Sequence, residues 1–107
     1  MMRKIQYEAI NNKKGIVYIV DFWEWPDGVK MISIRKEIRR EGDNSFTIIE
    51  KIYDMNKKDL IYKRLKERVF PLIDADEWIF LLGTKYISAR LTIDNFKKAV
   101  LTTLDLF

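Results

Sequence analysis

The residues Pro26-Asp27-Gly28 constrain this chain more than any others, because they separate two runs that read as β-strands. Ile16 to Trp25 and Val29 to Arg39 are rich in β-branched and aromatic residues, the types that fit a pleated surface. Proline presets φ for the second position of a turn, and glycine supplies the left-handed residue of a three-residue hairpin loop. The two runs are therefore expected to pair antiparallel, with the loop fixing their register. Trp25 then faces Val29, and partners share a face along the whole hairpin. One face carries Phe22 with Ile32, Val20 with Ile34, Ile16 with Ile38, and Glu24 with Lys30. The other carries Trp25 with Val29, Trp23 with Met31, Asp21 with Ser33, Ile19 with Arg35, and Val17 with Glu37.

The rest of the chain punctuates in the same way. Arg3 to Ile10 is expected as a first strand, closed by a turn over Asn11 to Gly15 whose Asn and Gly residues tolerate positive φ. Phe46 to Tyr53 is a fourth strand, after a turn over Arg40 to Ser45. Asp54 or Asn56 can cap a helix running to about Phe70, with Leu60, Ile61, Leu65 and Val69 at helical spacing. Pro71 ends it, and Lys63 and Glu67 are spaced for a local ion pair. Glu77 to Leu82, Gly83-Thr84 and Lys85 to Leu91 read as a hairpin, or as a short helix followed by a strand. Thr92 with Asp94 opens a closing helix whose Phe96, Val100 and Leu104 recur every four residues. The expected architecture is a single α+β domain over residues 1–107. It comprises a four-stranded antiparallel β-meander, a helix, a short β-hairpin (or helix plus strand) and a C-terminal helix.

A chain of 107 residues with 48% hydrophobic residues can bury one core without disulfides or metal. Cysteine and histidine are both missing, which removes disulfides, thiolate chemistry, Cys/His zinc sites and imidazole acid–base catalysis. No apolar segment follows Arg3 and Lys4 as a secretory signal requires, and a stretch such as Trp78 to Leu82 is far too short to span a bilayer. A cytoplasmic protein without membrane contact is expected. Abundant Ile, Lys, Arg and Glu beside a single glutamine, Gln6, suit a thermophile and equally an AT-rich genome.

The second face of the hairpin is the informative object. A meander wet on one side alternates apolar with polar residues, yet both faces are apolar near the loop. Three covers fit Trp23, Trp25 and Met31: the chain's own second half, a second subunit in a homodimer, or a ligand with flat apolar surfaces such as nucleic-acid bases. Arg35, Lys36, Arg39 and Arg40 mark the end of the third strand, and Lys13 and Lys14 sit in the first loop, in a chain of net charge +4. Together, Trp23, Trp25, Met31, Arg35, Arg39, Arg40, Lys13 and Lys14 form a candidate contact set for single-stranded DNA or RNA. In such sites cations follow the phosphates and each base stacked on an aromatic contributes about 1–3 kcal/mol. The same cations read as solvated edge residues that discourage strand-to-strand aggregation. The apolar face then serves a protein partner, as in a small phage- or virus-type interaction module.

Catalysis is not expected, and neither is a small-molecule cofactor or a metal. Asp74, Asp76 and Glu77 could hold Mg²⁺ in principle, but their spacing fits the start of a helix or hairpin. Ser33, Ser45 and Ser88 have no histidine partner, and no Gly-rich phosphate loop occurs.

Four strands in a meander followed by a helix, with aromatic and basic residues on the sheet, resemble the single-stranded nucleic-acid binders of the PUR-repeat and positive-cofactor-four (Whirly-like) type. Gly15-Ile16-Val17-Tyr18-Ile19-Val20-Asp21-Phe22-Trp23 looks like the second strand of that family. Phe46-Thr47-Ile48-Ile49 through Leu65 looks like its fourth strand and helix, and Lys85-Tyr86-Ile87-Ser88 to Phe96 is similar to the positive-cofactor strand that leads into its helix. The resemblance covers roughly residues 3–69. It implies a dimer and a strand-binding site on the sheet, with Trp23, Trp25 and Arg35 at the matching positions.

Overall fold

The computed structural model describes residues 2–39, 46–54 and 57–107, with side chains over 2–38 and 57–107. Six strands, β1 Arg3–Asn11, β2 Ile16–Glu24, β3 Lys30–Arg39, β4 Phe46–Asp54, β5 Ile79–Gly83 and β6 Ser88–Leu91, form one antiparallel sheet in the order β4-β3-β2-β1-β5-β6. The class is α+β. The expected meander forms, but it is not a separate four-stranded unit, because the β5–β6 hairpin joins it through β1.

The β2–β3 register is the one the loop dictates, from Glu24↔Lys30 and Trp23↔Met31 to Ile16↔Ile38. Gly28 adopts φ of +86°, and its N–H donates to the Trp25 carbonyl at 2.9 Å. Trp25 N–H donates to the Val29 carbonyl at 2.9 Å, and the Asp27 carboxylate accepts from Val29 N–H at 3.1 Å. Trp25 and Val29 thus belong to the loop, and the strands stop one residue earlier on each side than the residue pattern implies. Gly15, at φ of 66°, closes the β1–β2 turn.

From β4 the chain must cross the sheet to reach the far side of β1. It does so on helical residues: α1 Lys58–Arg64, a π-helical turn Leu65–Val69 and α2 Phe70–Asp74. At about 1.5 Å per residue this segment is ~25 Å long, enough to span the ~19 Å between strands four positions apart. Pro71 does not end the helix as expected. Proline lacks an N–H and its ring crowds the carbonyl four residues back. The helix accommodates it by widening the preceding turn, so that Phe70 N–H reaches the Leu65 carbonyl. The expected Lys63–Glu67 pair is not formed. Asp54 is the last residue of β4 rather than a cap, Asn56 lies outside the described residues, and Lys57 precedes α1 without a side-chain cap bond.

Ile79–Gly83 forms a strand and not a helix, starting two residues later than the expected Glu77, and the Thr84 hydroxyl braces the hairpin turn by accepting from Ile87 N–H at 3.0 Å. Thr92 caps α3 (Ile93–Leu106), accepting from Asn95 N–H at 3.2 Å. The buried cluster unites Tyr7, Ala9, Val20, Phe22, Ile32 and Ile34 of the sheet with Ile61, Leu65, Val69, Ile73, Phe80, Phe96, Val100, Leu104 and Phe107. Tyr7 ties α3 down, edge-on to Phe22 and Phe96 and with its hydroxyl 2.7 Å from that of Thr103. α3 therefore packs on the Phe22 side and β5–β6 extends the sheet beyond β1, so the buried cluster does not include Trp23, Trp25 or Met31. Among the described residues, no helix is long and apolar enough to cross a membrane.

Candidate functional site

The second face of the sheet divides into an open end and a closed middle. At the open end Trp23 lies between its register partners Lys4 on β1 and Met31 on β3. Trp23 and Trp25 are two residues apart, so they share a face. Their rings stack with centroids 5.9 Å apart and planes 11° from parallel. The Lys4 ammonium caps the stack, 4.4 Å from the Trp23 ring centroid, a cation–π contact. Both indoles and Met31 are half-buried, and Val29 beside them is 49% exposed.

The closed middle is polar. Asp21 is fully buried, and Ser33 and Glu37 are buried with it, alongside Val17 and Ile19. The Arg35 guanidinium donates to the Asp21 carboxylate at 3.3 Å and lies 3.8 Å from Glu37, while Lys4 Nζ is 3.9 Å from Asp21. Burial pushes the Asp21 carboxyl above the usual carboxylate range, against the charges of Lys4 and Arg35 and the Ser33 hydroxyl, which oppose the shift. Ser33 stands opposite Asp21 and favours its ionised form without forming a well-shaped hydrogen bond. Asp21 Oδ1, Ser33 Oγ and Arg35 Nε are all buried without hydrogen-bond partners. Half-satisfied buried polar atoms like these weaken a fold.

No protein-family model, curated protein or solved structure matches this chain. The chemistry of the face has to be read from its own residues.

Of the contact set expected from the sequence, Trp23, Trp25 and Met31 come together, and Arg35 lies on the same face four residues further along β3. Arg35 is already engaged by Asp21 and Glu37, so its charge is compensated within the fold. Lys13 and Lys14 occupy the turn at the opposite end of β2, ~25 Å from Trp25 at strand rise, and Lys14 pairs with Asp76 at 2.6 Å. The Arg39 side chain and Arg40 lie outside the described residues. Asp74 pairs with Lys97, so Asp74 and Asp76 are drawn to different lysines. Among the described residues no three ligating side chains converge on a metal position. The contact set is therefore not one continuous basic groove.

Two residues at this site escaped the sequence reading. Lys4 becomes visible only once the β1–β2 register is known. Asp21 as the partner of Arg35 was legible, because residues offset by two on neighbouring antiparallel strands are diagonal neighbours.

Proposed function

We propose that this protein is a non-catalytic interaction module that associates through the patch of Trp23, Trp25, Val29 and Met31, in the first instance with a second copy of itself. The observation that carries this reading is the stacked, half-buried indole pair at the end of a face that lies outside the buried cluster. Tryptophan and methionine are enriched at the centres of protein interfaces, whereas charged residues are depleted there. The charges nearest this patch are balanced internally, as Lys4 with Asp21 at 3.9 Å and as Arg35 with Asp21 and Glu37. An apolar patch ringed by compensated charge is complementary to another copy of itself, the requirement of a two-fold dimer.

A second reading is favoured by the Lys4 ammonium on Trp23 and by the net charge of +4. In it the same indoles stack bases of single-stranded DNA or RNA, as the resemblance to the PUR-repeat and positive-cofactor-four domains implies.

Sedimentation velocity across a concentration series separates the two. The wild type is expected to dimerise reversibly, and Trp25→Glu, checked for folding by circular dichroism, to stay monomeric. A wild type that is monomeric at every concentration overturns self-association. If an oligonucleotide then quenches tryptophan emission with an affinity that falls steeply with salt, the second reading takes its place.

A further inference from the structure

At the opposite end of the sheet, the β1–β2 turn, the start of β5 and the end of β6 enclose a cleft of about 880 Å³. We infer that this cleft is a separate binding site for a small organic anion, a flat apolar body carrying a phosphate or carboxylate. Its size lies within the range of small-molecule pockets, which combine apolar walls with a few polar groups that orient the ligand. The apolar wall includes Ile10, Trp78, Ile79 and Leu91. Trp78 is held in place by the Tyr18 ring at 6.0 Å. Its indole N–H is buried without an acceptor, so the ring is the surface Trp78 offers a ligand.

Charge defines the ligand. Lys13 and Arg90 both line the cleft and are exposed, and neither has an ion-pair or hydrogen-bond partner among the described residues. They contrast with Arg35 and Lys14, which are spent on Asp21 and Asp76. Of the two carboxylates on the rim, Asp76 is neutralised by Lys14, which leaves Glu77 alone against two free cations. Arg90 offers the planar fork that receives phosphate and carboxylate oxygens in pairs. A ligand with an anionic head between Lys13 and Arg90 and a planar body on Trp78 satisfies both halves of the lining.

The test uses 2-naphthyl phosphate and 2-naphthoate, with uncharged 2-naphthol as control, followed by amide chemical shifts of the full chain. Both anions, or one of them, are expected to give saturable shifts at Asn12, Lys13, Ile79 and Arg90, and which one binds identifies the head group. Arg90→Gln, on an exposed edge position, is expected to weaken binding about tenfold, the effect of one charge-assisted contact. Glu77→Gln removes a repelling charge and is expected to tighten it about twofold. Equal binding of 2-naphthol, unchanged affinity in Arg90→Gln, or shifts confined to Trp23 and Trp25 would each overturn the inference.

Discussion

Phe22 and Trp23 are neighbours in the chain on opposite sides of β2, and the surfaces they belong to are built differently. The Phe22 side is closed by the chain itself, with Tyr7 and Phe107 around a ring that is fully buried. The Trp23 side reaches comparable burial in its middle, but there it encloses a carboxylate, a hydroxyl and part of a guanidinium, and at its end two indoles remain half-exposed. Stability resides on the first side. The second side holds groups that burial penalises, the pattern expected of a surface kept for recognition.

The sharpest way to break this comparison is to truncate the two neighbours. Phe22→Ala removes a fully buried ring and is expected to cost about 3–5 kcal/mol in chemical denaturation. Trp23→Ala loses a stacked, half-exposed ring and is expected to cost about 1–2 kcal/mol. Equal losses would mean that both faces are core.

The buried charges come next. Asp21→Ala strands the Arg35 guanidinium and is expected to cost about 1–3 kcal/mol, whereas replacing the pair together, Asp21→Val with Arg35→Met, is expected to be close to neutral or stabilising. A double variant as unstable as the single one would show that the network supports the fold. The same carboxyl gives a pH signature. Its folded pKa is raised, so its protonated form is the stabilising one, complete below the unfolded value and lost as pH rises through the folded value. Relative to Asp21→Asn, the wild type is therefore expected to lose stability as pH rises from about 4. A wild type that gains stability relative to Asp21→Asn as pH rises would reverse the assignment. The smallest effect belongs to Lys4→Ala, which removes the cation over Trp23 and is expected to cost about 0.5–1 kcal/mol.

Much of this was legible in the sequence, and the boundary of legibility is physical. Pro26-Asp27-Gly28 determined the whole β2–β3 register, because turn chemistry is local and strand pairing propagates from it. Thr92 announced α3 for the same reason. What local pattern could not reveal was the side on which α3 would pack, since the Phe22 and Trp23 sides both offered apolar surface. Placement of β5 beside β1 depends on a long crossover, and the π turn depends on how the helix accommodates Pro71. The candidate site was half legible. Strand alternation places the two indoles together, whereas the engagement of Arg35 depends on its diagonal neighbour Asp21 across β2 and β3.

The most direct test of the account labels all three tryptophans with 5-fluorotryptophan and follows their fluorine resonances on dilution from millimolar to low micromolar protein. Self-association through the indole patch predicts that the Trp23 and Trp25 resonances shift with concentration while Trp78, at the far end of the sheet, stays fixed. Resonances of Trp23 and Trp25 that do not move, or a Trp78 resonance that moves with them, would contradict it.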